Sequence, residues 1–281
     1  MNLSEFALTG PQSGAAAPAI LLVLHSSFDD SAPWEALAAR LGAGGAVIRL
    51  NLQGCECHSQ AAGKGGQLIS LESEAASVAG VLDASIGCEV PVHVVGHGYA
   101  GAVALQLALR QRRRVRSLAL IEPLAFSLLD RGTGLLTSVA NLTRRMTETI
   151  AQGAPEEAAR QLVDFWNGSG AATVLPVPWL ASFARHIGRI AVGYQTLLRS
   201  PLGTGDLRGF SPPVCLVGSL QSPRLVLEIL GRISDSIPTS RVHFVQGGHT
   251  AAASHPEDMA QALARFIAAS AEAGAGERLA A

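Results

Sequence analysis

A short run of glycine and polar residues joins a predicted strand to a predicted helix and has the spacing of a catalytic turn. The apolar stretch beginning at Pro91 leads into Gly96–Gly101 (GHGYAG), and an apolar helical pattern follows as far as Arg110. A turn of the form G-x-S-x-G lifts a serine hydroxyl above the sheet, where it can attack a carbonyl carbon. In this chain Gly98 stands in the serine position. The pattern therefore predicts the turn of a nucleophilic enzyme without its nucleophile.

Apolar runs of strand length alternate with helical patterns on both sides of this turn. The runs carry few polar residues, as expected of parallel strands that are covered on both faces. Their order predicts parallel βαβ units with right-handed crossovers. The predicted strands cover 19–24, 46–52, 91–95, 116–122, 214–218 and 241–245, and the predicted helices cover 32–41, 70–85, 102–110 and 223–234, with a last helix beginning at Pro256.

The alternation stops after residue 124, and the next part of the chain shows helical patterns only. Three helices are predicted, at about 133–151, from about Ala154 onward, and at about 178–199. A helical insertion between two parallel strands cannot lie in the sheet, so it is expected to cap the strand ends, where open α/β sheets bind ligands. The predicted divisions are a core domain of 1–124 and 213–281, a helical cap of 125–212, and an Ala/Gly-rich tail, 271–281, that is expected to fray.

The ordered set of these features resembles the α/β-hydrolase family. In chain order it comprises the loop His25-Ser26-Ser27, the Gly96–Gly101 turn, the helical cap, Gly248-His249 after the last strand, and His255-Pro256-Glu257 opening the final helix. The resemblance covers nearly the whole chain. It implies an α/β fold with a mostly parallel, doubly wound α/β-hydrolase core and a helical cap inserted between the sixth- and seventh-strand positions.

The resemblance also implies roles for individual residues. The base would be His249, which has the family's place in the chain order of nucleophile, acid and histidine. An oxyanion hole would be formed by the backbone N–H groups of Tyr99 and of Ser27 or Ser26. A lone histidine after a strand is more commonly structural, so a structural role for His249 stays open as the alternative.

The acid departs from the family pattern. The family places an aspartate shortly after the glycine that ends the strand at 214–218, and Gln221 stands there. Some members carry the acid instead at the end of the strand that follows the turn helix, and Glu122 matches that position. Glu122 is therefore either the orienting acid or the cap of a neighbouring helix N-terminus.

Three functions are compatible with these residues, and whether the chain is an enzyme stays open. In the first, His249, oriented by Glu122, acts as a general base on a small ester or other carbonyl compound without covalent catalysis. In the second, the chain is a non-catalytic protein that binds or carries a small molecule under the cap. In the third, it is a serine hydrolase inactivated by a serine-to-glycine change at position 98, natural or engineered, because glycine relieves the backbone strain of such a turn.

Composition narrows the partners that the chain is expected to have. The formal net charge is −1 at pH 7, and the mean hydropathy is +0.29. A net charge this close to zero does not predict binding to nucleic acid or to a membrane surface. Apolar runs stay below the about 18 residues of a bilayer-spanning helix, and the N-terminus lacks the basic region of a signal peptide. A cytoplasmic protein with a small-molecule ligand or substrate is predicted, and its oligomeric state is left open.

Several reactive side chains have structural explanations at this stage. The segment Cys55–His58 has C-x-C spacing and no second pair to complete a tetrahedral zinc site, so no metal is predicted, and no cofactor motif is found. Cys88 and Cys215 border or lie in apolar strands and are expected to be core thiols. The arginines of Arg110–Arg116 are expected to be solvated at a helix end, and His93 is expected to be a hydrogen-bonded core histidine.

Overall fold

The computed structural model describes residues 8–9, 20–26, 46–52, 69–249 and 255–279. The strands are β1 (Leu8–Thr9), β2 (Ile20–Ser26), β3 (Val47–Leu52), β4 (Val92–His97), β5 (Val115–Ile121), β6 (Val214–Ser219) and β7 (Ser240–Val245). The helices are α1 (Leu71–Ile86), α2 (Gly98–Arg110), α3 (Leu135–Ala151), α4 (Pro155–Asn167), α5 (Val177–Ala184), α6 (Ile187–Arg199), α7 (Arg224–Ser236) and α8 (Pro256–Leu279). Short 3-10 helices lie at Phe126–Leu128, Arg131–Thr133, Ala171–Val174 and Thr204–Leu207.

A sheet in the order β1-β3-β2-β4-β5-β6-β7 forms the centre of the described structure. The short β1 is antiparallel to β3, and the strands from β2 to β7 are parallel to one another. Alternate residues of β2 pack into separate apolar clusters, Leu22 with one and Val23 with the other, because successive side chains point to opposite faces. Burial on both faces explains why the strands read as continuous apolar runs, and the predicted parallel sheet with flanking helices is confirmed.

The helix that was predicted at about 178–199 is in fact two helices, α5 and α6. They meet at Arg185 and His186. Apolar residues continue across the break at helical spacing, with Leu180, Ala184 and Ile187 all buried, so the periodicity could not show it. At the end of the chain α8 continues to Leu279, into the segment that was expected to fray. The helix predicted at 32–41 lies outside the described residues.

The segment 125–212, which the structure describes throughout, contains helices and turns but no strand. Its helices are joined by side-chain hydrogen bonds, such as that from Gln195 Nε2 on α6 to Thr147 Oγ1 on α3, at 3.1 Å. The hydroxyl of Thr196 on α6 also reaches the main chain of the core, 3.3 Å from the carbonyl oxygen of Ile69 just before α1. The second of these bonds connects the helical segment with the part of the core that leads into α1.

Two glycines allow α2 to lie unusually close to the strand that precedes it. A Cβ atom on Gly96 would stand 2.6 Å from Cβ of Ala104 and 2.7 Å from the carbonyl oxygen of Ala100. A Cβ atom on Gly101 would stand 3.2 Å from the carbonyl oxygen of Gly96 and equally close to Pro123. Gly96 is therefore required by packing between strand and helix, independently of any chemistry, whereas a side chain at Gly101 would need its neighbours to move by a few tenths of an ångström.

Two of the sequence predictions for polar residues are wrong. The arginine cluster is not uniformly solvated, because Arg114 is only 7% exposed and donates to Asp83 and to the carbonyl oxygens of Gly87 and Val90. These acceptors belong to the end of α1 and the loop that follows it. They lie 24 to 31 positions before Arg114 in the chain, so the sequence did not predict the contacts. The thiol of Cys88 is exposed, since it lies in that same loop and not in a strand.

Other predictions of this kind are confirmed. His93 is buried, and its Nδ1 lies 2.7 Å from the hydroxyl of Ser117 on β5. Burial and the nearby Arg116 lower the pKa of His93 to about 4, so it is a neutral core residue at pH 7. Cys215 is buried in β6, and burial raises the pKa of its thiol to about 12.

Two features are absent from the described residues. No helix among them is long and apolar enough to span a bilayer. Within the same ranges, no three His, Cys, Asp or Glu side chains are grouped so that they could hold a metal ion. The segment Cys55–His58 lies outside the described residues.

Candidate active site

The candidate site residues lie at the carboxyl ends of four adjacent strands of the sheet. Gly98 comes directly after β4, Glu122 after β5, Ser219 ends β6, and His249 follows β7. The strands are parallel and in register, with His97 opposite Ile121. Their carboxyl ends therefore meet along one edge of the sheet, where open α/β folds bind ligands.

Glu122 and His249 are in direct contact at this edge. The imidazole Nδ1 of His249 lies 2.5 Å from Oε2 of Glu122, and a carboxylate can only accept in this bond, so Nδ1 carries the hydrogen. Glu122 is 1% exposed, whereas the His249 side chain keeps 15% of its surface open. The bond at Nδ1 leaves Nε2 as the ring nitrogen that can take up a proton.

The second oxygen of Glu122 is held by two serines from the β6–α7 turn. Oε1 accepts from the Ser219 main-chain N–H at 3.1 Å, lies 2.8 Å from the Ser219 hydroxyl, and accepts from the Ser222 hydroxyl. Burial pushes the pKa of Glu122 upward, but its bonds to His249, Ser222 and Ser219 outweigh burial and lower the pKa below 4.5. Glu122 is therefore a carboxylate at neutral pH, not the neutral acid that burial alone would produce.

The same turn also fixes the segment that carries His249. The Ser219 hydroxyl lies 2.8 Å from the carbonyl oxygen of Gly248, and the main-chain N–H of Gln221 donates to Gly247 at 3.0 Å. The side chain of Gln221, at the family's usual acid position, is exposed. The β6–α7 turn thus supplies hydrogen bonds to Glu122 but no carboxylate of its own.

The backbone of Glu122 is held in an uncommon conformation. Its φ of 42° is the only positive value at a non-glycine residue in the described parts of the chain. Such a conformation costs of order 1–3 kcal/mol and persists only where surrounding contacts impose it. The contacts to Ser219, Ser222 and His249 supply that constraint.

The β4–α2 turn has the backbone geometry that a raised side chain requires. Gly98 has φ 57°, in the left-handed region, and its carbonyl oxygen accepts from the N–H of Leu124 at 3.0 Å. Among the described residues, and apart from its chain neighbours and the backbone of its own helix, no heavy atom lies within 4 Å of a Cβ atom built on Gly98. The N–H of Tyr99 belongs to the first turn of α2, where N–H groups have no intrahelical acceptor.

The two serine candidates for an oxyanion hole are only partly covered by the structure. Ser26 is the last residue of β2, and its backbone pairs in parallel with Leu52 of β3. Ser27 lies outside the described residues. The structure thus brings Glu122 and His249 together and places Ser26 and Tyr99 at the ends of neighbouring strands.

The helical segment contributes an aromatic residue that sequence reasoning missed. The indole of Trp166, on α4, is stacked on the His249 imidazole with 4.0 Å between ring centroids and 10° between planes. His97 approaches the same imidazole at a tilt, with 6.1 Å between centroids. The sequence around Phe165 and Trp166 predicts only a helix. No local pattern indicates that Trp166 contacts a histidine 83 positions later in the chain.

Comparison with known proteins agrees with this architecture. A model of the alpha/beta hydrolase family matches residues 20–262, which is most of the chain. The chain belongs to the alpha/beta hydrolase family. No curated protein sequence matches it significantly.

Solved structures of this fold extend over nearly the whole chain. MenH from S. aureus superposes with a TM-score of 0.70 at 14% identity and covers 95% of this chain and 99% of its own. The enol-lactonase from Burkholderia xenovorans LB400 gives 0.68 at 16%, covering 94% and 96%. A thermophilic esterase from Thermogutta terrifontis gives 0.67 at 17%, covering 94% and 93%. At these identities the likeness shows that this alpha/beta hydrolase shares their fold.

Glu74 is a buried carboxyl group next to the β4–α2 turn. Burial raises its pKa from 4.5 to about 7, although a hydrogen bond with the side chain of Tyr99 opposes this shift. The Tyr99 ring in turn packs under α6, where a Cβ atom on Gly193 would lie 3.4 Å from it. Glu74 therefore stays protonated to a higher pH than a solvent-exposed glutamate, because burial outweighs the contact with Tyr99 that favours its carboxylate form.

The raised pKa of Glu74 predicts a fall in stability as pH rises. The native state binds this proton more tightly than the unfolded state, so the free energy of unfolding should decrease between about pH 4.5 and 7, by up to about 3 kcal/mol. Glu74→Gln should remove this part of the decrease. Urea unfolding at pH 5 and pH 8 measures it, with Glu89→Gln, an exposed carboxylate, as the control. Equal pH dependence in native chain and Glu74→Gln would contradict the prediction.

Proposed function

We propose that the chain hydrolyses a small ester or related carbonyl compound by general-base catalysis, without a covalent intermediate. The contact between buried Glu122 and His249 is the observation that carries this proposal. A carboxylate that holds Nδ1–H fixes the tautomer in which Nε2 is a base, which is its role in serine hydrolases. Such a pair, retained beside a glycine, is suited to activating water instead of a serine hydroxyl.

The reaction would proceed in two proton transfers. Nε2 of His249 takes a proton from a water molecule as the water oxygen attacks the carbonyl carbon. The N–H of Tyr99, with that of Ser27 or Ser26, donates to the oxyanion of the tetrahedral intermediate. The imidazolium then returns the proton to the leaving oxygen as the carbon–oxygen bond breaks. The space above Gly98 would be occupied by the water and the reacting carbonyl.

A non-catalytic binding protein is the second candidate. The observation that favours it is Gly98 itself, because glycine at φ 57° is relaxed where a serine would be strained. A chain that only binds a small molecule under the helices has no need for the strained residue. In that case the Glu122–His249 pair would serve binding or stability.

Turnover of p-nitrophenyl acetate by the native chain separates these candidates. We expect slow steady-state hydrolysis without a burst, and a loss of about 10²-fold or more in His249→Gln, since general-base catalysis contributes about 10²–10⁴. His243→Gln, at an exposed position in β7, should leave the rate unchanged. A fluorophosphonate probe should not label the native chain. Equal rates for His249→Gln and the native chain would favour the binding protein, and labelling would reveal a nucleophile that the proposal lacks.

A further inference from the structure

The imidazole of His249 is held by two different parts of the molecule. Glu122, from the sheet edge, bonds to the ring at Nδ1, and Trp166, from α4 of the helical segment, covers one ring face. The hydrogen bond fixes one point on the ring edge but permits the ring to tilt about it. A parallel indole at 4.0 Å between centroids removes most of that freedom, because tilting would bring the rings into collision.

Trp166 is itself held by two other aromatic residues. Its indole N–H donates to the hydroxyl of Tyr194 on α6 at 2.8 Å, and the Phe165 ring meets it edge-on at 5.4 Å. Tyr194 is buried and rests edge-on against Phe126, 5.2 Å away between centroids, which is fully buried after β5. A series of two ring contacts and one hydrogen bond therefore connects Phe126 in the core, through Tyr194 and Trp166, with the face of His249.

We propose that Trp166 is a positioning residue that sets the plane of the His249 imidazole, so that the helical segment, and not the core alone, aligns the base. This proposal rests on the function proposed above for His249. The indole face also interacts favourably with the imidazolium that forms when the base accepts a proton. A displacement of α4 or α6 would remove both effects, which couples the position of the helical segment to the competence of the base.

A spectroscopic test of this contact requires no turnover. In a Trp34→Phe/Trp179→Phe chain, Trp166 is the remaining tryptophan, and an imidazolium stacked on an indole quenches its fluorescence. At one fixed pH, we expect the Trp166 emission to differ between the chain that keeps His249 and the His249→Gln chain, because the substitution removes the ring stacked on the indole. His243→Gln, at an exposed position, should leave the emission unchanged. Emission that is unchanged by His249→Gln overturns the proposal.

A kinetic test in the Gly98→Ser background separates positioning from folding. Trp166→Ala is expected to lower kcat for p-nitrophenyl acetate by about 10- to 100-fold with little change in KM, the size of effect that misalignment of a catalytic group produces. Trp166→Phe retains a flat ring and should recover most of the loss. Trp179→Phe, exposed on α5, should have no effect.

The two tests fail in distinguishable ways. A change in KM alone, or equal losses for Trp166→Phe and Trp166→Ala, overturns the positioning role while the proposed function stands. If the native chain shows no turnover that depends on His249, the proposed function fails, and the emission comparison still decides whether Trp166 is in contact with His249.

Discussion

The Gly98→Ser variant is expected to hydrolyse p-nitrophenyl acetate at least about 10³-fold faster than the native chain. The backbone of Gly98 already has the left-handed φ of 57°, and outside its own helix and chain neighbours no atom of the described residues would lie within 4 Å of a Cβ atom there. A serine side chain can therefore be added without displacing any of those described residues. His249, with Nδ1 held by Glu122, would take the hydroxyl proton as Oγ attacks the ester carbonyl.

Gly98→Ala is the matched control for this variant. It imposes the same left-handed strain but has no hydroxyl, so both substitutions should lower the free energy of unfolding by about 1–2 kcal/mol, and only serine should add activity. Thermal unfolding and ester hydrolysis measure the two effects separately. A folded Gly98→Ser chain that neither hydrolyses the ester nor reacts with a fluorophosphonate would show that this site cannot support serine hydrolysis.

Glu122→Gln in the Gly98→Ser background is expected to reduce kcat by about 10²–10⁴, with a small change in KM. An amide in place of the carboxylate presents at most one acceptor oxygen, while His249, Ser219 and Ser222 all donate to this group. The histidine would then be free to adopt the wrong tautomer. The buried donors left without an acceptor should also lower the free energy of unfolding by about 1–3 kcal/mol.

Rates and stability must be measured on the same preparations of the Glu122 variant. If Glu122→Gln is folded at the assay temperature, the fall in kcat reports the loss of the acid rather than unfolding. Exchange of an exposed carboxylate, Glu89→Gln, should change neither quantity. Undiminished kcat in a folded Glu122→Gln chain would mean that another group orients His249.

The sequence was sufficient for the architecture because the parallel strands are buried on both faces. Continuous apolar runs located the strands from β2 to β7, and the loss of alternation after residue 124 located the helical segment. The break between α5 and α6 was invisible, since Leu180, Ala184 and Ile187 keep one helical period through it. The buried guanidinium of Arg114 was missed because its acceptors lie in another loop.

The candidate site could be assembled from sequence only where a residue follows a strand. Glu122 and His249 do so, and the structure places them in contact. Ser219 and Ser222 were overlooked, although both flank the vacant aspartate position at Gln221, because hydroxyl groups there carry no motif. The role of Trp166 could not be predicted from the sequence. Its contact with His249 depends on how the helical segment packs on the sheet, and no local sequence pattern indicates that packing.

The left-handed backbone of Glu122 has a consequence for the variation that this position can tolerate. The residues that accept a positive φ most readily are glycine, asparagine and aspartate, and the first two lack a carboxylate. Aspartate has one methylene group less, so it cannot span the same distance to His249 and to the two serines. The backbone conformation thus favours residues that lack a side chain of the required length, and the contacts require a long carboxylate side chain. In a mutational scan, position 122 should be among the least replaceable of the chain, because no other residue meets both requirements.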